Sequence, residues 1–141
     1  MVKTQKQKRN RYHGLALIEA ALVFPLLVLL TFGVIEYGWL FLKAQEITNA
    51  ARYGARLAVR PGITSGEVEA AIDVLMARAG MADTGYGVMI SPADFSSLEA
   101  GDALNVEVTV PSVNIAIMKN AAWWPLPDNL KASVTMAKEG P

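Results

Sequence analysis

"LALIEAALVFPLLVLLTFGVIEYGWLFL", residues 15–42, carries only two charged side chains, Glu19 and Glu36, in 28 positions. As a helix rising about 1.5 Å per residue it would be roughly 42 Å long, more than the roughly 30 Å hydrocarbon core of a bilayer. Leu, Val, Ile and Phe fall on all its sides, which is not the pattern of an amphipathic surface helix. A chain of 141 residues has little material with which to wrap such a cylinder in a soluble core. The sequence therefore predicts a transmembrane helix, with its span at about 17–42.

The charge distribution orients it. Lys3, Lys6, Lys8, Arg9 and Arg11 precede Gly14 with no acidic residue among them, and the formal charge of zero is the sum of +5 before Gly14 and −5 after it. By the positive-inside rule the N-terminus stays in the cytoplasm and the rest of the chain crosses the membrane. Tyr37, Trp39 and Phe41 cluster at the far end, where aromatic rings favour the interface, and Glu36 beside them is expected to reach headgroups or water. A basic segment before an apolar run is also the plan of a removable secretory signal. The run is far longer than the roughly 7–15 residues of such a signal, and no Ala-x-Ala triplet lies between Leu22 and Arg60 to be cut. A retained anchor is the better reading.

Composition removes other classes. An acidic remainder behind a short basic leader argues against nucleic-acid binding. The chain has no cysteine and one histidine, His13. Disulfides, thiolate metal sites, polyhistidine metal sites and catalytic triads have nothing to build with. No enzyme activity and no cofactor are expected.

Beyond the span, helical spacing continues through Ala44, Ile47, Ala51, Ala55 and Ala58 until Arg60-Pro61-Gly62, where proline and glycine end it. One helix is thus expected over 15–60. Pro25 inside it should bend or loosen the helix near Ala21 and leave a carbonyl seeking a partner. Arg52, Arg56 and Arg60 repeat every four residues. They form either a solvated face or a contact for acidic groups of a neighbouring subunit or anionic headgroups. The small residues Ala51, Gly54, Ala55 and Ala58 either pack on the chain's own domain or admit a neighbouring helix.

A small extracytoplasmic domain is expected over 61–141. Thr64 and Glu67 form a capping box for a second helix with Val68, Ala71, Ile72 and Leu75 on its apolar stripe, closed by Gly80. "YGVMIS" at 86–91, "ALNVEVTV" at 103–110 and "LKASVTMAK" at 130–138 read as strands, with a turn at "EAGD". The fold class is therefore α+β, with an antiparallel sheet of about three strands wet on one face. The proline-bounded loop at 111–129 contains Trp123 and Trp124. It either covers the sheet edge or core, or presents the tryptophans to a partner.

Glu19 is costly in hydrocarbon, about 2.5–3.5 kcal/mol on insertion scales. It either snorkels to the cytoplasmic surface, faces lipid without function, or has a cationic partner. A cut after Gly14 would create that partner, because the new α-amino group of Leu15 lies one helical turn from Glu19, within one chain or between parallel chains.

At these residues the chain resembles the type IV prepilin plan of basic leader (1–14), glycine at the cut, apolar helix start and glutamate at mature position five. More closely, residues 14–58 are similar to the TadE-like family, minor pilin or pseudopilin components of tight-adherence (Flp) pilus systems. The resemblance rests on Glu19, Pro25, Ile35-Glu36-Tyr37-Gly38 and "NAARYGAR" at 49–56, with a weaker C-terminal match in the "ASVTM" strand at 132–136. It implies a type IV pilin-like architecture and cleavage between Gly14 and Leu15 by a prepilin peptidase of the bacterial inner membrane. It further implies that Glu19 serves processing or assembly, with other pilins or pseudopilins, the assembly platform and the lipid bilayer as partners. The protein would then be a single-pass inner-membrane component that can pass into the pilus. Ala20 and Leu15 depart from the aromatic residues that relatives carry there. The competing expectation is a permanently anchored extracytoplasmic binding module that keeps its leader.

Overall fold

A computed structural model of the chain describes the backbone of residues 9–95, 97–119 and 125–140, and within these the side chains from Gly14 onward. The elements follow in the order α1 (Arg9–Ala58), α2 (Ser65–Arg78), β1 (Gly87–Ser91), β2 (Ala103–Pro111), α3 (Ser112–Ile115) and β3 (Asn129–Ala137). The architecture is α+β, as the sequence predicts. The chain divides into two compact units between Tyr37 and Gly38.

In the first unit the described side chains belong to α1 alone, which runs through Pro25. From Gly14 to Tyr37 they are exposed apart from half-buried Val28 and buried Gly33 and Glu36. The stretch is long and apolar enough to cross a membrane, with a mean hydropathy of 2.5 and none of its most apolar window buried. Glu36 departs from the expectation that it reaches headgroups or water. It is 1% exposed, and Gly33, three residues before it on the same helical face, is buried as well.

In the second unit the later part of α1 buries Ile47, Ala50, Ala51, Ala55 and Ala58 in one core with Val68, Ile72 and Met76 of α2. The small residues thus pack on the chain's own domain. At Gly54 an added Cβ would lie 2.6 Å from Ile72 Cδ1 and 2.9 Å from its Cγ1, so the Ile72 side chain of α2 would have to shift to admit a larger residue there. Helix α1 ends at Ala58, and Gly62 follows at φ +79°, a conformation that glycine adopts without steric cost.

Helix α2 starts on the expected capping box. The Glu67 amide donates to Thr64 Oγ1 at 3.4 Å, and the Thr64 amide donates to Glu67 Oε2 at 2.9 Å. These bonds satisfy donors that a helix start leaves open, and the Thr64 amide, with the Thr64 hydroxyl donating to the same carboxylate at 2.9 Å, holds the Glu67 carboxyl below its ordinary pKa. Its far end closes in a Schellman motif: Met81 N–H reaches Met76 O at 2.8 Å and Gly80 N–H reaches Ala77 O at 3.0 Å, with Gly80 at φ +68°.

The three strands form an antiparallel meander in the order β1-β2-β3. Leu104, Val106, Val108 and Val110 face the core and pair with Met136, Val134, Ala132 and Leu130 of β3. On β1, Ile90 and Val88 pair with Val106 and Val108. The opposite face is polar: Asn105 donates to Ser133 and Thr135 hydroxyls at 2.8 and 2.9 Å, and Lys131 meets Glu107 at 2.8 Å. Alternation with period two places these residues on opposite faces. Within the stretch read as a loop, Ser112–Ile115 forms the short helix α3.

Candidate functional site

The residues singled out by sequence fall into separate groups. Gly14, Leu15 and Glu19 are all exposed on α1, Leu15 at 71%. The four-residue spacing of Leu15 and Glu19 puts both on one helical face. Pro25 lies inside the helix and has no N–H to give to the carbonyl of Ala21. Around them Leu17, Ile18, Leu22, Phe24 and Leu26 are each at least 64% exposed. Burying such side chains is worth about 1.5–3 kcal/mol each, so this surface strongly favours a non-aqueous covering.

Arg52 and Arg56 are exposed along the later part of α1, and Arg60 is exposed just beyond its end. Trp123 and Trp124 lie outside the described residues. Among the described residues no group of three or more His, Cys, Asp or Glu is placed to hold a metal ion.

Two lysines that carry no periodic signal in the sequence hold the ends of helices. Lys138, 9% exposed, donates from Nζ to the carbonyls of Ala58 at 3.2 Å and Arg60 at 3.1 Å. Helix α1 leaves its last carbonyls without intrahelical donors, and an ammonium group there also meets the negative end of the helix dipole. The backbone of the next residue assists, with Glu139 N–H donating to Val59 O at 3.0 Å. Lys43, 7% exposed, plays the same part for α2 by donating to the carbonyl of Ala79 and to Glu46 Oε2 at 2.9 Å. Its Nζ stands 4.7 Å from the centre of the Trp39 ring, and the Trp39 indole N–H donates to Ile115 O at 2.9 Å. A tryptophan and a lysine of α1 thereby clasp α3 and the end of α2.

Fold and surface together define a small α+β protein with an apolar helix of membrane-crossing length at its N-terminal side. Residues 14–56 match the family model described as TadE-like protein, which is the family that the motifs at Glu19, Pro25, 35–38 and 49–56 resemble. The match covers 43 of the 141 residues. No curated protein and no solved structure matches the chain.

Proposed function

We propose that the protein is a minor pilin or pseudopilin, a non-catalytic structural component in the assembly or anchoring of a Tad (Flp) type IV pilus. The observation that carries this reading is the coincidence, on one stretch, of the TadE-like match with an apolar helix whose surface is uncovered and which displays a single exposed carboxylate, Glu19. Such a surface is covered by lipid before assembly and by the helices of other pilins or pseudopilins after it.

In this proposal the basic leader 1–14 stays cytoplasmic, the span at about 17–42 crosses the bacterial inner membrane once, and the domain over 61–141 lies outside the cytoplasm. A prepilin peptidase cuts between Gly14 and Leu15, and the protein then enters the assembly platform or the pilus. The freed amine of Leu15 pairs with Glu19 of the same or a neighbouring chain, an ion pair that low dielectric strengthens once both groups leave water. Pro25 loosens the helix and frees the Ala21 carbonyl for a contact within the bundle. The exposed Arg52 and Arg56 are available to acidic groups of an adjacent subunit.

Mass spectrometry of the membrane-extracted protein tests the cut: an N-terminus at Leu15 is expected. An intact leader in piliated cells would sink processing and favour the second reading, a permanent anchor whose Trp123-Trp124 loop captures a partner. Glu19→Gln should abolish or strongly reduce piliation while the protein still fractionates with membranes. Normal piliation in that variant removes the pairing role.

A further inference from the structure

One cleft in the second unit is not used by the pilin reading. It encloses about 550 Å³, within the roughly 300–1,000 Å³ common for small-ligand sites. Trp39, Leu42, Lys43 and Glu46 of α1 line one side, with Arg78 of α2 and Lys119 beyond α3. Among the described residues the cleft holds three cations against one carboxylate. That carboxylate is already engaged, because Glu46 pairs with Lys43 at 2.9 Å. Neither Arg78 nor Lys119 has an ion pair or side-chain hydrogen bond among the described residues. The Trp39–Ile115 and Lys43–Ala79 hydrogen bonds hold the α1 side of the cleft, while Arg78 and Lys119 stand exposed at its rim.

We infer that this cleft binds the headgroup phosphate of an anionic phospholipid, through Arg78 and Lys119. Two observations select a lipid over a free anion or an acidic segment of another protein. Trp39 and Leu42, which line the cleft, belong to the last stretch of the apolar run 15–42. Beside them Tyr37 and Phe41 are 46% and 66% exposed, and aromatic side chains at the end of a span sit at headgroup depth. A phosphate carried on acyl chains would satisfy both parts at once: guanidinium and ammonium bind its oxygens, while the chains lie along Leu42 and Phe41. The inference rests on α1 spanning the membrane. It makes the chain's stance at the membrane surface sensitive to lipid charge.

Native mass spectrometry of the full chain in mild detergent tests it, titrating phosphatidylglycerol against phosphatidylcholine. Arg78→Gln with Lys119→Gln should lower phosphatidylglycerol retention at least about tenfold. Arg78→Lys with Lys119→Arg should retain it, which separates charge from fold, and circular dichroism should be unchanged in both pairs. Equal retention of the two lipids, or undiminished phosphatidylglycerol binding in the glutamine pair, overturns the site. Displacement of the lipid by inorganic phosphate, or by a glutamate-rich peptide that binds in its place, overturns the lipid assignment. Alkaline carbonate extraction keeps the two claims apart. Loss of the wild-type chain from membranes refutes the spanning helix, whereas full retention without lipid preference refutes the cleft alone.

Discussion

The two parts of α1 share a backbone and differ in what covers them. Up to Tyr37 the side chains are large, apolar and exposed on nearly every side, Glu36 and Gly33 excepted. From Leu40 onward alanine and glycine gather on one face, and that face is buried by α2 and the sheet. Side-chain size thus reports the covering. Lipid accepts bulky groups at any angle, whereas a folded domain that packs at close to crystal density leaves room only for small ones where elements cross.

The same truncation on each side of this divide should break the comparison most sharply. Ile72→Ala removes a fully buried side chain from the junction of α2 and α1, and should cost about 2–5 kcal/mol in urea unfolding of the full chain in detergent. Leu26→Ala, at a position 64% exposed, should leave that transition within about 0.5 kcal/mol. A large loss from Leu26→Ala would mean that the apolar helix is packed on protein.

How much of this was readable beforehand follows the same divide. Period 3.6, period 2, the capping box and the Arg-Pro-Gly stop are local signals, and they place α2, the three strands and the far end of α1 close to the observed ends, whereas α1 starts at Arg9, inside the basic leader, and not at Leu15. The sequence leaves open whether Ala51, Gly54, Ala55 and Ala58 face the domain or a neighbour, because both coverings ask for small residues. Lys138 and Lys43 were not legible as structural groups. A lone lysine looks like any solvated charge, and its acceptors lie far along the chain. Helix α3 escaped because four residues carry too little periodicity to register. Gly14, Leu15 and Glu19 were found through charge cost and a family resemblance. The fold places all three exposed on α1.

The next largest effect should come from Lys138. Lys138→Met keeps much of the aliphatic stem and removes the donor to Ala58 O and Arg60 O. Hydrogen bonds from charged groups contribute about 1.5–3 kcal/mol, so a loss of about 2 kcal/mol in the same unfolding assay is expected. An unchanged midpoint would show that water serves these carbonyls as well.

Two glycines of α1 sharpen the contrast further. At Gly54 an added methyl meets Ile72 Cδ1 at 2.6 Å, while at Gly38 nothing lies within 4 Å. Gly54→Ala should lose about 1 kcal/mol, an overpacking cost of about 1–3 kcal/mol partly offset by the helical preference of alanine. Gly38→Ala should gain about 0.5–1 kcal/mol from that preference alone. Equal shifts of one sign would mean that Ile72 turns aside freely and that close packing does not select the glycine.

The smallest effect is a titration on the domain's surface. Tyr86 Oη donates to Asp73 Oδ1, and burial, that hydrogen bond and the charge of Asp73 together push the phenol up to about 12. An unfolded tyrosine titrates near pH 10. Below that value both states hold the proton and the contribution to stability is complete. Above it the unfolded state releases its proton first, so stability falls as pH rises from about 10 towards 12. Tyr86→Phe removes the titrating group, and its urea midpoint should decline less than that of the wild type between pH 9 and roughly 11.5. Solvent screening keeps the difference small. Parallel declines would assign the alkaline loss to other groups and leave the Tyr86–Asp73 bond without an energetic role in holding α2 to the start of β1.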